Sequence, residues 1–466
     1  MYFASLGFGA FLISFFLWAD RGMLDAGKNG LGVVLFALWT IWGTQFFFFR
    51  PKQTREDLRP WVIRLLLGLS LVLIIIDSKL LYIHVAMDNL SLLSKGPIQI
   101  FPKTASIYFG RILEISAGLY LFSILSRKNS LLQKWSAGLL LFFAVVSHLM
   151  VFRMVPLPLI DVFTTISEAT VALLEGRNPY LVNHFDLYQL PGINPAPFIY
   201  LPGLFPWSTF GTVLAGDIRG GSFLALVGLA LFFILGHSSL SWVERFHLAA
   251  LLFFGGASLF VAEQAWIDPI LAFLCLASGW CLKEKKVFWA GIFAGAMCAT
   301  KQYGVIAFIF LFLMNINLSV GRYMGLRFFL TSLGVALFVQ IPFLIWNYHA
   351  YVSATITSVG RLPFRPDAYT LTSYFFAHGV SVPWMPILGI FLILIIAWRC
   401  WSLRIADLAS IILAISLSYM AIFLTNRHAF CNYYQLVYLF LIVCIYLDSE
   451  EAGCSRDNRL KSPTAF

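Results

Sequence analysis

DVFTTISEATVALLEGRNPY (161–180), followed after a polar linker by FIYLP (198–202), decides how the rest of the chain is read. Interval 161–202 is the longest stretch that cannot be a membrane span, and it follows a Pro-broken exit from one at 155–160. Val162, Phe163, Ile166, Ala169, Leu173 and Leu174 fall largely on one helical stripe, whereas Asp161, Thr164, Thr165, Glu168 and Glu175 fall off it. Such a helix can lie flat on a bilayer with its polar face up. Gly176 suits a left-handed helix stop, and Pro179 prevents continuation. Asp161 itself has two readings: an N-cap for backbone N–H groups that lack partners, or a carboxylate available for chemistry.

Outward from this interval the chain is apolar. Hydrophobic residues make up 60% of its 466 positions and charged ones 12%, with a mean hydropathy of +0.84. A soluble domain carries about 25% charged residues. Apolar runs of about 20 residues recur throughout, as bilayer-spanning helices require. The expected fold is all-α and polytopic, with about 13–14 spans, an amphipathic helix and interfacial segments in one large outer loop. The expected spans are 3–19, 31–49, 61–80, 107–125, 135–155, 222–235, 248–262, 266–282, 287–300, 305–314 with its flanks, 327–346, 383–401, 408–425 and 434–447. The N-terminal run 2–18 lacks a basic n-region and a small-residue cleavage site, so it reads as a first span rather than a signal peptide. Seven cysteines (Cys275, Cys281, Cys298, Cys400, Cys431, Cys444, Cys454) have no metal or CxxC spacing and read as small core residues.

The net charge of +10 invites a nucleic-acid reading, which its placement opposes. Basic residues cluster in short loops: Arg50, Lys52, Arg55 and Arg59; Arg127, Lys128 and Lys134; Lys283, Lys285 and Lys286; Arg322 and Arg327; Arg399 and Arg404; and the tail with Arg456, Arg459 and Lys461. One threading places all of them in the cytoplasm. It sets 161–221, the loop 348–382 and the turn 426–430 together on the opposite, outer side. LFPWSTFGTVLA (204–215) is apolar but too short to cross ~30 Å at ~1.5 Å per residue, so it is expected to be interfacial or re-entrant. The tail after Leu447 is expected to be a short disordered cytoplasmic end.

Polar groups then collect on the outer side: Glu263, Gln264 and Asp268; Lys301, Gln302 and Tyr303; Arg361 and Arg365; and Asn426, Arg427 and His428, with Tyr433 and Tyr434 following. Ionisable groups at membrane depth are costly and tend to be functional. Each also has a structural reading. Lys301 can snorkel to the interface, Arg427 can anchor, and Glu263 and Asp268 can hold a helix turn. His428 can be a satisfied hydrogen-bond donor, since no second His or Cys stands at ligand spacing. Glu114 with Arg111, and Asp77 with Lys79, read as structural pairs. Taken as a set, the groups have a chemical logic. A carboxylate can take a proton from an attacking hydroxyl, cations can meet the charge developing on a phosphate leaving group, and bilayer-facing walls can hold a lipid tail.

The segments 161–180 and 198–202 resemble the first outer loop of C-type glycosyltransferases, especially the mannosyltransferase-like glycosyltransferase family 87. That loop shows an Asp, an amphipathic helix, a Gly-x-x-Pro-Tyr turn and Tyr-x-Pro before an interfacial segment. AGAMCATKQYG (294–304) is similar to the family's Gly/Ala-rich span ending in a Lys. The resemblance runs from about Trp135 to the chain's end and implies three parts: extra N-terminal helices (1–134), a transferase-like core (135–448) with outer loop 156–221, and a tail (449–466). It implies an inverting transferase that moves a hexose, mannose by commonest association, from a polyprenyl-phosphate-sugar donor to a glycan or glycolipid acceptor. The reaction takes place at the non-cytoplasmic face of a plasma or inner membrane.

By resemblance Asp161 is the catalytic base, Lys301 contacts the donor phosphate, and Tyr200 and Pro202 shape the site. Topology adds Arg365, Arg427 and His428 near the phosphate, and Glu168, Asn178, Tyr180, Gln264 and Tyr303 as pocket-lining residues. No metal or cofactor is expected, the lipid-linked sugar being a co-substrate; membrane lipids are the other partners, and no nucleic acid. Lys301→Ala is expected to weaken donor use with folding intact. The family's core begins one span before the catalytic loop, so the helices within 1–134 depart from its pattern. A transporter or lipid flippase is the main alternative, with charges lining a pathway through the midplane; a non-catalytic assembly subunit is the other.

Overall fold

The computed structural model describes residues 10, 13, 35, 37–39, 61–74, 103–126, 130–158, 160–184, 198–236, 238–318, 322–361, 364–365 and 368–460. The expected spans 3–19 and 31–49, the reading of 2–18, and Asp77, Lys79, Arg127 and Lys128 lie almost wholly outside them. Within them the chain is all-helical, without β-strands. The helices are α1 (Trp61–Ile74), α2 (Lys103–Leu125), α3 (Leu131–Met154), α4 (Asp161–Leu174), α5 (Phe205–Ala215), α6 (Gly220–Leu235), α7 (Trp242–Phe254) and α8 (Ser258–Glu263). They continue with α9 (Asp268–Lys283), α10 (Val287–Thr300), α11 (Gly304–Asn317), α12 (Arg322–Val352), α13 (Leu371–Ala377), α14 (Met385–Ser402), α15 (Leu408–Thr425) and α16 (Cys431–Leu460).

Among the described residues five helices are long and apolar enough to cross a membrane, or six if the bent pair α5–α6 counts as one span. The expected 13–14 spans are therefore not all reached at full length. α10 and α11 have 14 residues each, and α9 has 16, about 24 Å at 1.5 Å per residue. The expected span 248–262 is two helices, α7 and α8, because the chain breaks at Gly255 and Gly256, the latter at φ +61°. The Gln435 amide oxygen accepts the Ala257 N–H at 2.8 Å and so satisfies the backbone freed by that break. α16 runs on to Leu460 instead of giving way to a disordered tail at Leu447. Of the cysteines, Cys275, Cys400, Cys431 and Cys444 are buried, as a core role requires, and Cys281 and Cys298 are half-buried.

α15 and α16 form the centre of the molecule. From Leu436 to Leu447 every α16 side chain is at most 2% exposed, and α15 is buried along almost its whole length. α9, α11 and α14 surround this pair, with α6, α7 and α3 beyond on one side and α10 and α12 on the other. α12 contains Pro342, leaves helical geometry at Asn347 (φ −162°, ψ 96°) and passes through a π-turn at Ser353–Thr357. At the break the Asn347 side chain accepts the Ala350 N–H at 2.9 Å and so caps the turn that follows.

The 161–221 region is built by short local devices. α4 ends in a Schellman arrangement around Gly176 (φ +72°): the Gly176 N–H bonds Leu173 O at 3.0 Å and the Arg177 N–H bonds Ala172 O at 2.8 Å. Asn178 then caps the turn Pro179–Leu181 through the Tyr180 N–H, at 2.9 Å. α5 is a separate helix set at 98° to α6, which agrees with the expectation that 204–215 does not cross as a continuous span. The bend needs glycine. Gly216 is left-handed (φ +67°), and a Cβ on Gly221 would stand 2.5 Å from Trp207 O.

Candidate functional site

Six segments meet at one end of the bundle. α3 ends there, α4 and α6 begin there, α9 begins there at Asp268, α10 ends there at Thr300 with Lys301 as its C-cap, and α16 begins there at Cys431. The antiparallel pair α9–α10 thus presents an N-terminus carrying an acid beside a C-terminus carrying a base, each favoured by the helix dipole next to it. Lys301 Nζ donates to Asp268 Oδ1 at 3.1 Å and Oδ2 at 3.3 Å. The same carboxylate accepts from Asn432 Nδ2 at 2.8 Å and from the Tyr303 hydroxyl. The Lys301 ammonium also lies 4.6 Å from the Tyr303 ring centroid and 5.1 Å from that of Tyr433. Asp268 is fully buried and Lys301 is 7% exposed. Lys301 therefore does not snorkel, and Asp268 does more than hold a turn.

FIYLP is pressed against this pair. A Cβ on Gly203 would stand 2.6 Å from the backbone of Ala299, so only glycine lets Pro202–Leu204 lie this close to the end of α10. Gln302 Nε2 donates to Ile199 O at 2.9 Å and to Thr355 O at 3.3 Å, joining that segment to the π-turn after α12. Tyr200, within this segment, is buried at 8% exposure. Burial pushes its phenol well above the ordinary value, and the charges of Asp161 and Asp268, with Tyr433, push it the same way. The hydroxyl therefore stays protonated and keeps its donor.

Asp161 is the first residue of α4, not its cap. The cap position is Ile160, which offers no side-chain acceptor, and Asp161 Oδ1 accepts the adjacent Val162 N–H at 2.8 Å. The capping reading is thus displaced by one residue, although the carboxylate still meets the positive end of the helix. Thr164 and Thr165 hydroxyls return to the Asp161 carbonyl at 3.0 and 2.8 Å. Beneath α4 lies a residue absent from the expected site. Arg219 is 1% exposed, pairs with Asp217, and donates to Val155 O (2.8 Å), Phe152 O (3.1 Å) and Glu263 O (3.3 Å). Its guanidinium lies 5.3 Å from the Phe163 ring centroid, so it ties α3, α4, α6 and the end of α8 into one platform.

The other expected residues divide. Tyr303 belongs to the cluster. Tyr180 and Asn178 are buried and hold the turn after α4. Tyr180 is 7% exposed, donates to Tyr200 O at 2.9 Å and packs on Phe198, Phe205, Phe343 and Tyr351, while Asn178 caps its turn. Glu168 receives a hydrogen bond from His184 Nδ1 at 2.8 Å, and Gln264 donates to neighbouring Glu263 at 3.0 Å. Arg365 lies 5.0 Å from the Phe430 ring centroid and Arg427 is exposed. The loops bearing Arg365 and His428 meet through the Tyr369 N–H and Ala429 O, at 2.9 Å. Glu114 and Arg111 form the expected pair at 2.9 Å.

Basic clusters mark the other end of the helices. Lys283, Lys285 and Lys286 lie where α9 turns into α10, with Arg327 over Phe288 beside them at 5.8 Å. Arg399 and Arg404 lie where α14 turns toward α15, and Asn317 at the end of α11 reaches Cys400 O and Ile405 O there, at 3.1 and 2.9 Å. At the site end Arg177 and Arg219 are instead paired with Glu175 and Asp217. Comparison with known proteins returns no match: no family model, no curated protein and no solved structure.

Proposed function

We propose that this membrane protein is an inverting glycosyltransferase that moves a hexose, mannose first among the choices, from a polyprenyl-phosphate donor to an acceptor hydroxyl. Asp161 takes the proton of the attacking hydroxyl. The hydroxyl oxygen forms a bond to the sugar's anomeric carbon from the face opposite the phosphate. The anomeric C–O bond breaks and polyprenyl phosphate departs with the electron pair, its charge met by the Lys301 ammonium. The observation that carries this reading is the gathering of Asp161, Tyr200 and Lys301, distant in the chain, at one end of an apolar helix bundle. The placement of Lys283–Lys286, Arg399 and Arg404 at the other end supports an outward-facing site.

A transporter built on buried charges would spread them along the spans. Here Asp268 and Lys301 stand at helix ends, which favours the enzyme. The test is hexose transfer from polyprenyl-phosphate mannose, with glucose as a comparison sugar, by purified protein in lipid. Transfer with inversion at the anomeric carbon supports the reading. No transfer from either sugar donor to any supplied glycan or glycolipid acceptor, together with no binding of polyprenyl phosphate, contradicts it.

A further inference from the structure

Lys301 meets a carboxylate rather than an empty site, and that arrangement assigns work to a residue outside the proposed chemistry. A lysine this buried would shed its proton, because desolvation penalises the charged form. Asp268 opposes that loss and is itself held on two sides, by Asn432 from α16 and Tyr303 from the start of α11. The Lys301 ammonium meets both Asp268 oxygens and lies over the Tyr303 and Tyr433 rings. Lys301 keeps 7% exposure, and Gly203 brings Pro202–Leu204 against the end of its helix. Asp268 touches neither acceptor nor donor in the proposed reaction, being fully buried.

We propose that Asp268 is the positioning residue of the donor site: its carboxylate, fixed by Asn432 and Tyr303, holds the Lys301 ammonium in place at the end of α10, where it receives the phosphate of a polyprenyl phosphate. This rests on the lipid-phosphate reading above and adds that headgroup affinity is set by a pair, not by one lysine. A buried pair that is merely structural affects folding but leaves ligand affinity and its pH limits unchanged in every variant that folds.

The experiment is binding of undecaprenyl phosphate by the full chain in lipid nanodiscs, followed from neutral to alkaline pH, with thermal unfolding as the check on folding. Wild type is expected to bind, and Lys301→Gln to bind roughly tenfold or more weakly, the loss of one charge-assisted contact. In Asp268→Asn the alkaline loss of binding moves to lower pH, since the carboxylate that retains the Lys301 proton is gone. Asp268→Glu keeps that limb where wild type has it but weakens binding severalfold at every pH, because the ammonium is displaced by one methylene. The double variant Asp268→Asn/Lys301→Gln removes both charges together, melts higher than either single neutralisation, and binds as Lys301→Gln does. Wild-type affinity in Asp268→Glu, or a wild-type pH limb in folded Asp268→Asn, overturns the positioning role alone. Failure of wild type to bind undecaprenyl phosphate overturns the lipid-phosphate reading and this role with it.

Discussion

At the scale of single residues, the pair Asp268–Lys301 governs more than chemistry. Removing Lys301 leaves a fully buried carboxylate without its counter-ion, a change that costs about 3–5 kcal/mol. Lys301→Ala is accordingly expected to lower the unfolding temperature strongly, against the sequence-based expectation of intact folding; an unchanged melting point would refute the pair's structural weight. The double neutral variant is expected to recover most of the loss. Both members were visible in the sequence as isolated polar residues at the edges of apolar runs. Their partnership was not, because 33 residues separate them and only the α9–α10 hairpin brings the two helix ends side by side. Asp161 was legible as the start of a helix and misplaced by one position as its cap, since Ile160 holds that place without any capping side chain. Arg219 and Asp217 gave no signal, as a charged pair beside two glycines reads as an ordinary turn.

Among the elements, the apolar runs 287–300 and 408–425 coincide with α10 and α15 residue for residue. They are bounded by strong local features, Lys286 and Lys301 on one, and Asp407 capping the other through the Ser410 N–H at 2.8 Å. The run 248–262 reads as one helix because two near-neutral glycines barely lower its mean hydropathy, though they end α7. FIYLP offers a sharp element-level test. Gly203→Ala places a methyl 2.6 Å from α10 backbone, which cannot move aside as a side chain would. Overpacking of this kind costs about 1–3 kcal/mol, and it should push the 202–204 segment away from the end of α10 and weaken undecaprenyl-phosphate binding. Unaltered binding in Gly203→Ala would show that this contact does not shape the site.

The segment 161–184 has its own pH signature. Burial lowers the His184 pKa from 6.5, and its bond to Glu168 only partly opposes that fall. Unfolded chain therefore takes up a proton below pH 6.5 that the folded chain resists, so stability is full above that value and falls as pH drops toward the folded pKa. Thermal melts between pH 7.5 and 5 on the order of this window should show that decline, and His184→Gln should flatten it. A wild-type melt that holds or rises on acidification would contradict the buried neutral histidine.

For the whole molecule, the division of charge between the two ends is the main constraint on function. The site end holds Asp161, Asp268 and Lys301, and the far end holds Lys283, Lys285, Lys286, Arg399 and Arg404. This division was legible from loop charge alone, because the orientation rule depends on sequence and not on packing. Cysteines introduced at Asn183 and Lys285 are expected to label from opposite faces of sealed vesicles, Asn183 from outside; labelling of both from one face would break the threading. The helices α9, α10 and α11 were legible as apolar helices, but their 14–16 residues fall short of the full-length spans expected of them.

The central claim is that Asp161 is the base of a sugar transfer, and one substitution tests it most directly. Asn at this position can still accept the Val162 N–H, and the cap position is occupied by Ile160, so folding should be nearly unaffected. Transfer from polyprenyl-phosphate mannose by Asp161→Asn is expected to fall by about 10²–10⁴-fold, the usual contribution of a positioned base, with the melting temperature close to wild type. Full activity in this variant would contradict the claim.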